Sequence, residues 1–259
     1  MAIAPPLELC AKNWFNYHMS SSEIFGDIYR KGLWGSGSST QPLSGSGSNS
    51  VNARPYVDLI KRFVEEHSER KVLDFGHGDW EMWKEWDFQG VDYLGVDVAQ
   101  GLSERIQEKY GNEFRTFKFH DLSRGELPHA DLLICKDVLQ HLPNADVKVF
   151  LDACESFKHV IICNDIYIQG TFVFELKERL QLRRRLARLL SKQNPFFMQR
   201  RRNNSDIPTG QFRGIDLEKD PFKDVANNFH IEILLEFDGP KRPGIRKRVY
   251  LLTRKDLTS

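Results

Sequence analysis

The sequence of 259 residues predicts an α/β fold, a doubly wound and mostly parallel sheet that ends in an antiparallel hairpin. Two observations support this prediction. Short apolar runs alternate with stretches of helical spacing along most of the chain, which is the pattern of strands joined by crossover helices. The last two strand-like runs are joined only by DGPKRPG, which is too short for a crossover helix, so these two strands should pair antiparallel at the sheet edge.

Each element follows from its local pattern. Residues 51–70 predict a helix, because apolar side chains such as Ile60 and Phe63 recur at helical spacing between charged ones. The run DLLICK at 131–136 is apolar on both faces, which predicts a central parallel strand. The other predicted strands are 71–75, 93–98, 114–119, 159–163, 229–237 and 247–254, and the other predicted helices are 104–110 and 145–157.

Residues 1–50 are predicted to form an N-terminal arm ahead of the main domain, 51–259. Its Gly/Ser-rich part, 32–50, has two interpretations. As a flexible linker it would join the arm to the core. As a lid, its backbone amides and serine hydroxyls would close over a bound ligand. Trp34 and the helix that begins near Val51 closely flank the glycines and serines, which favours this second interpretation.

A basic insertion at 170–215 interrupts the predicted sheet, and residues 172–190 within it predict an amphipathic helix. Residues 175–202 contain ten Lys and Arg against two Glu, a net charge of +8. Such a patch could contact a phosphate-bearing acceptor, RNA or an anionic membrane surface. A solvated surface that keeps the protein in solution is the simpler alternative.

Composition limits the broad class. The net charge of +1 indicates no overall preference for nucleic acid. The four cysteines form no CxxC pair and show no metal-binding spacing, which favours a reducing compartment. The N-terminus lacks the profile of a secretory signal, and no apolar run approaches the length of a membrane span. We therefore expect a cytoplasmic protein.

The segments KVLDFGHGDW at 71–80 and YLGVDV at 93–98 predict a site for a nucleoside-bearing cofactor. Gly76 and Gly78 would let backbone N–H groups approach the ligand where a side chain would block it. Asp97, at the end of the second strand, would accept hydrogen bonds from the ribose hydroxyls. A tight turn for the glycines and a helix cap for Asp97 are the alternative roles.

Candidate bases lie at the carboxyl ends of the fourth and fifth strands: Asp137, His141 and Asp165. His141 has an intrinsic pKa suited to proton transfer near neutrality, although packing beneath the cofactor is an equal alternative. Asp137, Asn164 and Asp165 also offer three oxygen atoms for Mg²⁺, unless Asn164 and Asp165 merely form a turn. Asp206 could join either site or cap a loop.

With these residues assembled, the chain resembles a class I S-adenosylmethionine-dependent methyltransferase over roughly residues 70–255. VLDFGHGDW is similar to the cofactor loop of that family, and GVDV to its ribose-binding acid. FHDLS at 119–123 is similar to its adenine-contacting turn, and CKDVLQHLPN at 135–144 to its fourth-strand motif. The closing hairpin agrees with the reversed final strand that separates this fold from dinucleotide-binding Rossmann domains. The loop departs from the family at Asp79 and Trp80, where a third glycine is usual.

The resemblance implies that S-adenosylmethionine is the cofactor and that Mg²⁺ is a candidate second one, as in catechol-type and some sugar O-methyltransferases. It implies methyl transfer from that cofactor, and we expect an oxygen nucleophile as the acceptor, a sugar or glycan hydroxyl. The residues that it places at the cofactor are Asp74, Gly76, Gly78, Asp97, Val98, Asp121, Leu122 and Lys136. A helix cap is the alternative role for Asp121.

Further motifs are similar to one branch of the family, whose acceptor class the resemblance leaves open. They are Trp34–Gly35, Ser44–Ser48, NDI at 164–166, NSDIP at 204–208 and FRGIDLEKDPF at 212–222.

Other functions remain as alternatives. No [DN]PP[YF] motif follows the fourth strand, so we do not expect DNA as the acceptor. Glu81 takes the position of the last glycine in GxGxxG, which disfavours a nicotinamide cofactor. A small-molecule N-methyltransferase is one alternative. A non-catalytic module that binds nucleic acid or a membrane through residues 175–202 is another.

Overall fold

The computed structural model describes residues 19–38, 41–99, 101–124, 126–168, 203–239 and 244–255. The predicted helix at 172–190 and the basic segment at 175–202 lie outside the described residues. No helix in the described part of the chain is long and apolar enough to cross a membrane.

Seven strands form one open sheet in the order β3-β2-β1-β4-β5-β7-β6. The strands are β1 (Lys71–Phe75), β2 (Asp92–Asp97), β3 (Arg115–Phe119), β4 (Leu132–Lys136), β5 (His159–Tyr167), β6 (Phe229–Asp238) and β7 (Ile245–Arg254). The first five strands are parallel, whereas β7 runs antiparallel to both β5 and β6. This topology confirms the predicted α/β fold with a C-terminal antiparallel hairpin.

Four α-helices accompany the sheet in the described ranges: α1 (Ser21–Arg30), α2 (Ser50–His67), α3 (Leu102–Tyr110) and α4 (Asn144–Ala153). The sequence patterns predicted the last three within a few residues and missed α1. A capping box begins α1, in which Ser20 Oγ accepts from Glu23 N and Ser20 N donates to Glu23. The spacing of Ser20 and Glu23 is the signal that would have found this helix.

The core lies along the central strands. All five residues of β4 are buried, which confirms the prediction of a central parallel strand. An aromatic cluster fills the space beside β1 and β2, with the Trp80 ring 5.8 Å from Phe88 and 5.6 Å from Phe117. Trp80 and Trp83 are almost completely buried, so the loop after β1 is anchored in the core by two large side chains.

The fifth strand is longer than predicted, which corrects its expected end at residue 163. Pairing with β7 continues through Asn164↔Arg248 and Asp165↔Lys247 as far as Tyr167. Asn164 and Asp165 therefore belong to a strand, not to a turn after it. Consecutive side chains of a strand leave opposite faces of the sheet, so these two residues cannot point to the same place.

The segment from residue 203 onward is fixed against the end of β5 by two asparagines. Asn203 exchanges hydrogen bonds with the backbone of Tyr167, donating to its carbonyl and accepting from its N–H. The Asn204 amide binds both the N–H and the carbonyl of Asp216. Arg213 N then donates to Gln140 O at 3.1 Å, which sets this segment beside the loop after β4. Asn204 and Arg213, from the motifs at 204–208 and 212–222, thus fix the backbone that lies beside the loop after β4.

Candidate functional site

A pocket that is open to solvent lies at the carboxyl ends of β1, β2 and β4. Its lining comprises Phe25, Tyr29, Trp34, Ser44, Ser48, Phe75, Gly76, His77, Gly78, Asp79, Trp80, Glu81, Met82, Asp97, Val98, Lys136, Asp137, Val138, His141 and Leu142. Ligands of open α/β sheets bind at this edge. Seven of the residues that the sequence predicted are brought together here: Gly76, Gly78, Asp97, Val98, Lys136, Asp137 and His141.

The loop after β1 needs glycine at two positions. Gly76 has φ +83° and Gly78 has φ +59°, a region that other residues rarely adopt. A Cβ on Gly76 would lie 2.2 Å from Val138 Cγ2, and one on Gly78 would lie 2.2 Å from Ser44 Oγ. The loop therefore approaches both the chain after β4 and the N-terminal segment as closely as backbone allows.

Asp97 connects this loop to the end of β2. Its Oδ2 accepts from Gly78 N at 3.1 Å, and its Oδ1 accepts from Ala99 N at 2.8 Å. A carboxylate offers about four lone-pair positions, so two backbone donors leave it able to accept from a ligand in the pocket.

The Gly/Ser segment forms one wall of the pocket. Ser44 pairs with Asp79, and Tyr29 OH lies 3.3 Å from Ser44 Oγ. Lys136 contacts the short 3₁₀ turn Ser46–Ser48, because its Nζ donates to Gly47 O at 2.9 Å. These contacts attach residues 44–48 to the loop after β1 and to the end of β4.

Four charged side chains form a buried network behind the pocket: Lys136, Asp137, Asp165 and Lys247. Both ammonium groups donate to the Asp137 carboxylate, and Lys247 Nζ also lies 2.7 Å from Asp165 Oδ1. The side chains of Lys136 and Lys247 are only 2% and 4% exposed. Burial would raise the pKa of Asp137, but the two ammonium groups outweigh it and hold that pKa well below its usual range. Asp137 is therefore a poor proton acceptor.

His141 lies in the pocket wall as a neutral imidazole. Its Nδ1 is 2.8 Å from Gln211 O, and because a carbonyl only accepts, Nδ1 carries the proton and Nε2 keeps its lone pair. Burial lowers the pKa of His141 to about 4. The ring lies 4.6 Å from Trp34 and 5.8 Å from Phe212, so three segments of the chain fix its orientation.

The expectation of a Mg²⁺ site does not fit the side chains and is corrected here. Asp137 and Asp165 both contact the ammonium group of Lys247, and Asn164 leaves the opposite face of β5. Across the described ranges, no three His, Cys, Asp or Glu side chains are grouped so as to hold a metal ion.

Other predicted residues lie outside the pocket lining. Asp74 is buried, and its Oδ2 accepts from Trp83 Nε1 at 2.9 Å and from Tyr93 OH at 2.6 Å. Asp121 accepts from Ser123 N at 3.0 Å and from Ser123 Oγ at 2.7 Å, which is the geometry of the capping alternative.

Asp206 accepts from Asn144 N at 2.8 Å and so caps the start of α4. This geometry agrees with the interpretation of Asp206 as a cap.

Sequence patterns did not point to Ser44, Gly47, Gln211 or Lys247 as individual site residues. Each of them acts through a contact with a residue far away in the chain, and such contacts leave no local pattern.

No protein-family model matches the chain, and no curated protein matches its sequence. Solved structures do share its fold. Magnesium protoporphyrin IX methyltransferase from Synechocystis PCC 6803, with bound SAH, aligns with a TM-score of 0.56 at 17% identity over 96% of this chain and 100% of that chain. The N-terminal domain of EvdMO1 with SAH bound aligns with a TM-score of 0.53 at 15% identity over 92% of this chain and 100% of that one.

Human N-acetylserotonin methyltransferase in complex with SAM aligns with a TM-score of 0.55 at 14% identity. That alignment covers 92% of this chain and 61% of the human chain, so this chain spans less than two thirds of its length. At these identities the comparison establishes architecture. The chain therefore has the fold of structures that are S-adenosylmethionine-dependent methyltransferases.

Proposed function

We propose that the protein is an S-adenosylmethionine-dependent methyltransferase that methylates an oxygen nucleophile, with a sugar or glycan hydroxyl as the acceptor. One observation carries the proposal: a single pocket holds the Gly76–Gly78 loop with Asp97 and also a neutral His141. The first group suits an adenosine-bearing cofactor. The second suits removal of a proton from a hydroxyl.

The cofactor would lie against the Gly76–Gly78 loop, where the missing side chains leave backbone groups accessible. Asp97 would accept from the ribose hydroxyls, and Val98 would contact the base. Asp121 and Leu122 would lie at the adenine edge, a role that rests on the family resemblance. When bound, S-adenosylmethionine supplies the electrophilic methyl group.

Burial lowers the pKa of His141 and makes it a weaker base than a solvated imidazole, but of the three candidate bases it alone is not paired with an ammonium group. The Gln211 carbonyl fixes the tautomer, so Nε2 would be free of a proton of its own and could accept one from an acceptor hydroxyl. Asp137 and Asp165 are less suited to this role because Lys247 contacts both. The pocket walls would align the acceptor with the methyl group.

A sugar acceptor has one supporting comparison. The N-terminal domain of EvdMO1 was also solved in the presence of SAH and D-fucose, and it aligns with a TM-score of 0.50 at 15% identity over 92% of this chain. Sugars with and without a phosphate group are therefore the first acceptors to test. We also propose a cytoplasmic location, which is supported by three free buried cysteines among the described residues.

Two measurements test the function. Calorimetry should detect binding of S-adenosylhomocysteine to the wild-type protein and weaker binding to Asp97→Ala. Methyl transfer from labelled S-adenosylmethionine should then appear on sugar hydroxyls in a panel that also holds phenols and amines. Turnover confined to amines, and unaffected by His141→Asn, would favour the N-methyltransferase alternative. Absence of binding by folded, ligand-free protein would refute the proposal.

A further inference from the structure

The carboxylates of Asp137 and Asp165 are bridged by an ammonium group. Lys247 Nζ contacts Asp137 Oδ1 and lies 2.7 Å from Asp165 Oδ1. Carboxylate oxygens are typical ligands of divalent cations in proteins. Here the position between the two oxygens belongs to a side chain of the same protein.

Sheet register places Lys247 there. Asp165 on β5 is directly opposite Lys247 on β7, and the antiparallel direction of β7 is what brings this residue to the carboxyl end of β5. Directly opposite residues of an antiparallel pair have Cβ atoms about 5 Å apart, which suits an ion pair between Asp and Lys. The closing hairpin thus supplies a cation to the two carboxylates.

The charge balance of the network opposes an additional ion. Lys136 and Lys247 carry two positive charges, and Asp137 and Asp165 carry two negative ones, so the buried group is neutral as a whole. Such a group tolerates burial because every charge has a partner. A divalent ion would have to displace Lys247 and would still lie near Lys136.

We propose that Lys247 is a positioning residue that takes the place of a divalent metal between Asp137 and Asp165. The role in catalysis rests on the proposed function, since the network holds the chain after β4 in the conformation that leads to His141. Asp137 has φ +62°, a conformation that is costly for aspartate and is maintained by these contacts. The substitution of a lysine for a metal ion can be tested without any turnover.

The decisive experiment is a titration with Mn²⁺, followed by electron paramagnetic resonance and by thermal melting. Lys247→Ala should bind Mn²⁺ at this network at least about tenfold more tightly than the wild-type protein does. Mn²⁺ should also raise the melting temperature of Lys247→Ala, because a ligand that binds only the folded state stabilises it. The matched control is Lys247→Ala combined with Asp165→Leu, which removes one of the two carboxylate ligands, and its affinity should return to the wild-type level.

Loss of a buried charge partner can prevent folding, so a second variant is needed. Lys247→Gln keeps a polar side chain, shorter than that of lysine, and adds an amide oxygen that can itself bind Mn²⁺. If both single variants are unfolded without metal, recovery of the fold on addition of Mn²⁺ supports the proposal, and failure to recover it overturns the proposal. Equal Mn²⁺ affinity in wild type, single variants and double variant also overturns it.

Activity provides an independent check. EDTA should leave methyl transfer by the wild-type protein unchanged, and a loss of about tenfold or more that Mn²⁺ or Mg²⁺ restores would overturn the proposal. Affinity for S-adenosylhomocysteine, measured on the same samples, tests the proposed function separately. A protein that fails to bind this compound but gains Mn²⁺ affinity in Lys247→Ala would refute the methyltransferase proposal alone.

Discussion

Ser44 and Asp79 exchange two hydrogen bonds across 35 residues of sequence: Ser44 N donates to Asp79 Oδ2 at 3.2 Å, and Asp79 N donates to Ser44 Oγ at 2.8 Å. The same hydroxyl lies where a Cβ on Gly78 would be. The second glycine of the loop therefore makes room for the N-terminal segment, besides exposing backbone to a cofactor. The segment and the loop form one structural unit at the pocket.

Ser44→Ala is expected to weaken binding of S-adenosylhomocysteine by about threefold to tenfold. The substitution leaves Asp79 N without its acceptor, and one neutral hydrogen bond contributes about 1 kcal/mol. Calorimetry measures the affinity. The control is Ser36→Ala, which removes an exposed hydroxyl from the same segment and should change nothing. Equal affinities of the two variants would show that the Ser44–Asp79 pair does not shape the site.

Asp97→Ala should lower the affinity for S-adenosylhomocysteine by about tenfold to a hundredfold. Hydrogen bonds to a charged group contribute about 1.5–3 kcal/mol, and this carboxylate both orders Gly78 and would accept from the ribose. Asp92→Ala is the matched control, because Asp92 is exposed at the opposite end of the same strand. A comparable loss in both variants would contradict a specific role for Asp97.

Gly47→Ala tests how closely the Ser46–Ser48 turn must approach the buried charges. The new Cβ would lie 2.8 Å from Asp137 Oδ2, which is too close without a shift of the turn or of the carboxylate. Overpacking of this kind costs about 1–3 kcal/mol, so we expect a melting temperature lower by several degrees and weaker cofactor binding. Ser46→Ala adds no atoms in the same turn and should melt like wild type.

The sequence predicted the fold well because the fold depends on periodicity. Alternation of strand and helix, the doubly apolar run of β4 and the short final connection are all local patterns, and each was confirmed. The predicted end of β5 at residue 163 was wrong for a physical reason. Asn and Asp are typical turn residues, but here their backbone pairs with Arg248 and Lys247, which lie 84 and 82 residues away in sequence, and this pairing overrides the local preference.

The site was predictable only in part for the same reason. Motif spacing placed the glycines, Asp97, Asp137 and His141 at one pocket. It could not show that Lys247 would neutralise the two aspartates, because that depends on the register of β7 against β5. Nor could it show that the Gln211 carbonyl would set the tautomer of His141, since a backbone acceptor has no sequence signature.

Asp74 was expected at the cofactor, yet its carboxylate accepts from Trp83 and Tyr93 within the core. Asp74→Asn should therefore lower the melting temperature by a few degrees, because the buried donors lose a charged acceptor. Its affinity for S-adenosylhomocysteine should stay within about twofold of wild type. Tyr93→Phe, which removes one of the same hydrogen bonds, should behave alike. A large loss of affinity with an unchanged melting temperature would support the expected role of Asp74 at the cofactor.

His141→Asn is expected to lower kcat by about a hundredfold or more without changing the affinity for S-adenosylhomocysteine, because it removes the base and leaves the Asp97 end of the pocket intact.

The pH dependence gives a sharper test, because burial lowers the pKa of His141 from its ordinary value of 6.5 to about 4. The imidazole then stays neutral as pH falls through 6.5, so kcat should remain level to about pH 5 and decline only as the ring protonates near its folded pKa.

The stability of the protein should also fall as the pH is lowered. Below about pH 6.5 the unfolded chain binds a proton at this residue, whereas the folded chain binds it only near pH 4. The melting temperature of the wild-type protein should therefore fall as the pH is lowered from about 6.5 towards 4, and that of His141→Asn should fall less. Rate and melting profiles between about pH 4.5 and 8 measure both effects. A kinetic pKa near 6.5 that disappears in His141→Asn would mean that the ring is solvated when the acceptor binds, contrary to its enclosure by Trp34 and Phe212.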